Sequence, residues 1–535
     1  MMGIITKIGS YLLSIVFTVL LSKVGQSIVW SNKREDGSTK SPWAPSPSNL
    51  PFLTKGLDAF QRESYQALTR WFHDLKAPIY SVQLGLKRII VLNTPQLVYQ
   101  ALIEKEQLNS SRNSSDTMER ILSDQCKTVY TAPFSLYWSR IRRAIYLVIG
   151  QKYVAQFTPF FKEQAKRVSI GIEESMTNKE SNSLDTAELR QLVDVIAMDT
   201  ALSLVLGRHQ QQQHYDPAAM LSLIQKCHAL EARQTRKYNR LGQFYRFINA
   251  WLDVKSLFTL DSININLRNG ILEILYPWFE PIYKIRSSDE ERRKLKLTSI
   301  ATSLLNIDPS KNDPNPVQLT KDEILVNVMH IVLHAHTYLA SSLFTLIQRL
   351  ATEPDFQNRL LHSDSSEERL RLASAFVSET LRLDPPNRLL AYGPRTDYDF
   401  EAVDGTMYRV DQDTDLVVNL DAIHHDPHYY YPNPDTFYPD RFLKPETHTT
   451  TLLSNSSSSS SSPIKPARDH LAFGAGRRAC LGKSASEQWL ATTVIQLVKS
   501  FELRGGDVSE KIQVSTNIWS WVGRTETKGD TIKFI

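Results

Sequence analysis

Cys480 is the side chain in this 535-residue sequence best placed to do chemistry. It lies in residues 473–482, FGAGRRACLG, directly ahead of a helix-like stretch at 483–499. An isolated cysteine in a globular protein is usually a small buried hydrophobe. The neighbours here require a further reason. Gly474, Gly476 and Gly482 let the backbone turn tightly and approach a flat ligand. Arg477 and Arg478 add fixed positive charge, and a helix N-terminus beside Cys480 favours a thiolate. A thiolate held in such a loop is a good axial ligand for haem iron and promotes O–O cleavage.

Phe473, Gly476, Arg478, Cys480 and Gly482 match F-x-x-G-x-R-x-C-x-G at every fixed position. This segment resembles the haem-ligand signature of cytochromes P450. The resemblance implies haem b bound by these five residues, with the Cys480 thiolate as axial ligand to the metal.

The elements that would position this loop are legible in order. Trp138 and Arg142 stand four apart and share a helix face. In the family such a pair meets a haem propionate, a role suited to the fixed fork of a guanidinium. Arg395, following the expected strand 388–392, is a further propionate contact on the same resemblance. Residues 321–350 run without proline or glycine and predict a long buried helix. The family carries A/G-G-x-D/E-T there. Aligned on the threonine, Leu333, His334, Ala335, His336 and Thr337 occupy the pattern, with His336 in place of the acid. Thr337 and His336 are therefore the expected proton-handling pair, since histidine relays protons near neutral pH. The other reading is that His334 and His336 are satisfied buried polar groups. Glu379 and Arg382, three apart on a helix ended by Pro385, precede Arg441 as in the family's structural Glu–Arg–Arg triad. By position, Met329, Leu333, Leu389, Leu390, Ile518 and Trp519 would wall the substrate pocket.

Residues 77–92 predict a two-stranded hairpin and 95–106 a helix. The tail, 518–523 and 533–535, predicts a closing pair of strands. Composition fits a globular protein, with 41% hydrophobic and 22% charged residues, and a net charge of +5 gives no reason to invoke nucleic acid. Three cysteines make no disulfide framework and suit a reducing compartment.

Residues 8–22 are uncharged and largely apolar, bracketed by Lys7 and Lys23. With Lys23 snorkelling, the segment reaches the roughly 20 residues that a span needs. The domain reading is a membrane anchor over 1–31, a polar, proline-rich hinge over 32–56 and a catalytic domain over 57–535. A serine-rich loop is inserted at about 451–465. Two sequons, at Asn109 and Asn113, should be bare if the domain is cytosolic.

The expected fold is mainly α with small β-sheets (α+β), the P450 fold behind an N-terminal anchor helix. The resemblance implies an endoplasmic-reticulum monooxygenase that inserts one atom of O2 into an apolar steroid, terpenoid, fatty acid or xenobiotic. It takes electrons from NADPH through a separate cytochrome P450 reductase, with cytochrome b5 as an optional second donor. Arg477, Lys483, Lys465 and Arg468 would meet the acidic partner. Two alternatives stay open: a P450-fold isomerase or dehydratase acting on an oxidised lipid without O2, and a non-catalytic haem carrier or sensor.

Overall fold

The computed structural model describes residues 41–47, 64–84, 87–112, 121–177, 183–207, 215–234, 261–284, 298–307, 319–443, 469–505, 515–516, 522–523 and 531–534. The expected anchor, most of the hinge, the serine-rich loop, Asn113, Lys465, Arg468, Ile518 and Trp519 lie outside these residues.

The principal helices are α1 (Ser64–Leu75), α2 (Leu136–Ile149), α3 (Thr158–Met176), α4 (Thr186–Leu206), α5 (Pro217–Gln234), α6 (Asp261–Lys284), α7 (Lys321–Ala351), α8 (Ser366–Leu383) and α9 (Lys483–Ser500). α7 is the axis of the core. Its start is fixed by a capping box: Thr320 Oγ1 accepts from the Glu323 amide, and Glu323 Oε2 accepts from the Thr320 amide. Uninterrupted by proline or glycine, it packs along α4, while α9 packs along α3 and α8. Among the described residues α7 is long and apolar enough to cross a membrane, but its apolar window is 78% buried inside the protein.

The main sheet has four strands, β1 (Ile79–Leu84), β2 (Lys87–Leu92), β3 (Leu389–Tyr392) and β4 (Asp415–Asn419), in the order β1-β2-β4-β3. β1 and β2 form the expected antiparallel hairpin, with Val82 opposite Ile89. β2 runs parallel to β4, and β3 antiparallel to it. Thr531–Phe534 pairs with Leu503–Gly505 and Ser183–Asp185, and Val522–Gly523 pairs with Ser515–Thr516, so both tail segments carry a strand as expected.

The helix expected over 95–106 is broken into Pro95–Tyr99, a π-turn at Gln100–Glu104 and a short turn at Glu106–Asn109. Single π-turns of this kind are frequent at functional sites. Here the Leu102 carbonyl lies against the Cys480 loop. Asn109 is 1% exposed, its side chain bonded to the Ala101 carbonyl and the Tyr398 hydroxyl. Its side chain is therefore committed within the fold.

Candidate active site

The Cys480 loop is held by its own backbone and by two tight approaches. The Cys480 amide donates to the Phe473 carbonyl at 2.8 Å, and the Ala475 amide donates to the Tyr392 hydroxyl at 3.2 Å. Gly476 has φ +65°, and a Cβ there would lie 2.1 Å from the Leu102 carbonyl oxygen. No other residue fits this turn. Gly482 has an ordinary backbone conformation and serves as the residue before α9.

Cys480 is exposed, yet burial by surrounding protein raises its thiol pKa. Both hold if the side chain faces a recess inside the molecule rather than bulk water. The amides of Gly482 and Lys483, at the start of α9, and the Arg142 guanidinium oppose that rise, while Glu487 adds to it. The thiolate-favouring helix terminus expected from sequence is thus present, but desolvation outweighs it in the protein alone.

Arg142 lies beside Cys480. Its Nη2 donates to the Ala479 carbonyl at 2.6 Å. Arg478 donates to the carbonyls of Ser110 (2.6 Å) and Ala132 (2.6 Å). Burial first, then the charges of Arg112 and Arg142, hold the Arg478 pKa well below its ordinary value. Three guanidiniums thus crowd one wall, where an anionic ligand relieves both desolvation and mutual repulsion.

Trp138 is placed differently from expectation. Its Nε1–H donates to the Val129 carbonyl at 2.8 Å, so that donor is committed to the backbone. The ring instead supports two cations, Arg478 at 4.5 Å and Arg142 at 5.4 Å from its centre. Arg395 does not join the cluster. It is exposed and lies 4.9 Å over the Phe134 ring. Arg112, which sequence reading passed over, takes the third place, its guanidinium 4.5 Å over Tyr130.

The larger correction concerns α7. Thr337 is 1% exposed and donates to Glu231 Oε1 of α5 at 2.7 Å. His336 is fully buried, with Nε2 3.5 Å from Asp194 Oδ1 of α4. Both therefore point into the helix packing. In the middle of α7 the partly accessible residues are Ile331, His334, Ala335, Tyr338 and Ser341, spaced as one helix face. Tyr338 is close enough to Cys480 and Tyr130 for their charges to add to the burial that raises its phenol pKa. His334 lies 4.3 Å from the Tyr130 ring and 6.0 Å from Tyr338, and burial with His330 and Arg112 keeps its imidazole neutral. The face over Cys480 thus carries His334, Ala335 and Tyr338 in place of His336 and Thr337. Met329 and Leu333, expected in the pocket wall, are fully buried beside that face. The available signal was Ala335, the small residue, which precedes Tyr338 by the same three positions that separate glycine from threonine in the family pattern.

Behind the loop, Glu379 accepts from Arg382 Nε (2.7 Å) and Nη2 (2.8 Å), and from Arg441 Nε (3.0 Å). Arg441 also donates to the Tyr430 carbonyl at 2.8 Å, and Arg382 to the His424 carbonyl at 2.5 Å. The expected triad is formed, and its lone pairs and protons are shared with backbone. On the proximal surface, Arg477 pairs with Glu106 at 2.8 Å and Lys483 with Asp469 at 2.6 Å, so both cations already have acidic neighbours within the chain.

The sequence model of the family described as cytochrome P450 matches residues 44–520. The chain belongs to the cytochrome P450 family. Relatives include cytochrome P450 monooxygenase 79 of Postia placenta, 23% identical over 87% of this chain and 83% of that protein. Steroid 17-alpha-hydroxylase/17,20 lyase of Papio cynocephalus is 23% identical over 90% of each chain. Among solved structures, a cyanobacterial P450 bound to retinoic acid covers 92% of this chain and 99% of its own, with TM-score 0.65 at 17% identity. A zebrafish P450 with progesterone gives TM-score 0.62 at 18% identity, covering 91% of this chain and 100% of its own. These likenesses establish the P450 fold, mostly helical with small sheets. Membership makes the chain a P450 monooxygenase with haem and an axial cysteine thiolate, drawing on oxygen, a redox partner and a substrate. The residues present fit that cofactor: a cysteine facing an internal recess, a helix N-terminus at its sulfur, and buried guanidiniums suited to two carboxylates.

Proposed function

We propose that Cys480 is the axial ligand and that Arg112, Arg142 and Arg478 receive the haem propionates. The observation that carries this is the position of Cys480: exposed to an interior recess, bonded to the start of α9, and beside buried arginines. Bound haem with a thiolate ligand supplies the redox chemistry by which one oxygen atom of O2 enters a substrate. The amides of Gly482 and Lys483 stabilise charge on the sulfur. On the α7 side, the Tyr338 hydroxyl and the His334 imidazole are protic groups that hold or pass protons there. Ile331 and Ala335 keep the rest of that face apolar.

The substrate class is an apolar steroid, terpenoid, fatty acid or xenobiotic. The electrons come from NADPH through a separate flavoprotein reductase, with cytochrome b5 as an optional donor. Residues 1–31 anchor the protein in the endoplasmic reticulum membrane, with residues 57–535 in the cytosol. Support comes from the apolar segment at 8–22 and from the steroid named for one relative. The test is NADPH oxidation by membrane-expressed protein with reductase and a panel of these lipids. Substrate-stimulated consumption with a product gaining one oxygen is the expected result. A phenol and an imidazole on the α7 face, where the family pattern has glycine and threonine, favour one second reading, an isomerase or dehydratase acting on an oxidised lipid. Conversion of a lipid hydroperoxide without NADPH would select it.

A further inference from the structure

His336 and its neighbours form a second cluster on the buried side of α7. His336 Nε2 lies 3.5 Å from Asp194 Oδ1, and His228 Nε2 lies 3.2 Å from Asp194 Oδ2. One ligand atom from each of the three residues falls within 4.8 Å of the others. They come from three helices: α4 supplies Asp194, α5 supplies His228 and α7 supplies His336. The two imidazole rings are 6.2 Å apart.

Bond lengths of about 2.0–2.2 Å to a tetrahedral zinc ion put neighbouring donor atoms about 3.3–3.5 Å apart. The separations of 3.2 and 3.5 Å, each to a different oxygen of Asp194, lie close to that spacing. The longer one, 3.5 Å, lies beyond the ordinary N–H···O range, and the shorter one, 3.2 Å, at its upper edge. Asp194 and His336 are almost wholly buried, while the His228 side chain is 43% exposed. The cluster is therefore reached from solvent on the His228 side. Two imidazoles and one carboxylate suit zinc and leave one position open. Glu231, one turn beyond His228, is held by Thr337.

We propose that Asp194, His228 and His336 form a zinc-binding site, separate from the haem, that ties α5 and α4 to α7. Beside it the Thr337–Glu231 hydrogen bond makes a second tie between α5 and α7. The ion fixes the position of α5, the helix that enters residues 235–260, without touching the Cys480 side of α7.

The experiment uses the full-length haem-loaded protein, stripped with EDTA and titrated with zinc chloride by calorimetry. Metal content is measured against haem. The expected result is one zinc per haem, with affinity at least about tenfold weaker in His228→Gln and in Asp194→Asn. Zinc X-ray absorption of the wild-type protein should show a nitrogen and oxygen shell with imidazole scattering. The reduced, CO-bound spectrum should be the same with and without zinc, so this site can fail or hold independently of the haem assignment. Zinc binding that is absent from wild type, or equal in wild type and both variants, overturns the proposal. So does a metal shell without imidazole, which keeps the test decisive should both variants misfold.

Discussion

The Thr337 hydroxyl donates to the Glu231 carboxylate at 2.7 Å, on the side of α7 packed against α5. A side chain so engaged cannot also serve the recess at Cys480. Tyr338, one residue on, is turned about 100° around the helix axis and lies near enough to Cys480 for that group to raise its phenol pKa.

Replacing Tyr338 by phenylalanine removes one hydroxyl and little volume. With reductase and a turned-over substrate, Tyr338→Phe should lower the share of NADPH recovered as product by roughly 100-fold, the low end of general acid–base effects. Thr337→Val should leave that share close to wild type. Loss of coupling in Thr337→Val with none in Tyr338→Phe would restore the pairing of Thr337 and His336 suggested by sequence.

Much of the site is legible in the sequence because it depends on short, rigid spacings. The Cys480 loop needs glycine where φ is positive and the Leu102 carbonyl presses in, so the residue types announce it. Glu379, Arg382 and Arg441 were found by order and separation, and the structure joins them. The face of α7 is not set by the motif alone, because a one-residue shift in alignment rotates a helix through about 100°. Periodicity could not correct it, since α7 is buried on nearly all sides. Arg112 carries no pattern in its serine- and asparagine-rich surroundings, and its role arises only when distant segments meet. Likewise Trp138 spends its N–H on a local carbonyl, a choice that its spacing from Arg142 does not encode.

Glu379 is fully buried and answers two buried guanidiniums. Glu379→Ala leaves both charges without that carboxylate and should cost about 3–5 kcal/mol, enough to lose most folded, haem-bound protein on expression. Haem content and thermal unfolding measure this. A variant that retains full haem and an unchanged melting temperature would show that the triad is dispensable.

Burial pushes the Glu487 carboxyl from its ordinary 4.5 up to about 7, against an opposing contribution from Lys483. An acid whose folded pKa is raised favours folding in its protonated form. Its contribution is complete below about pH 4.5 and is lost as pH rises through about 7. Between pH 5 and 8, Glu487→Gln should therefore gain about 1 kcal/mol on the wild type, the figure being reduced for the side chain's partial exposure. Denaturant unfolding followed by haem absorbance at several pH values tests it. Parallel profiles for the two proteins would place the Glu487 pKa at its ordinary value.

The axial role of Cys480 is tested most directly by the reduced, CO-bound difference spectrum. The wild type, Cys126→Ala and Cys227→Ala should all show the red-shifted thiolate band. Cys480→Ala should lose it while the other two cysteines remain. A thiolate band that persists in Cys480→Ala would contradict the assignment on which the site is built.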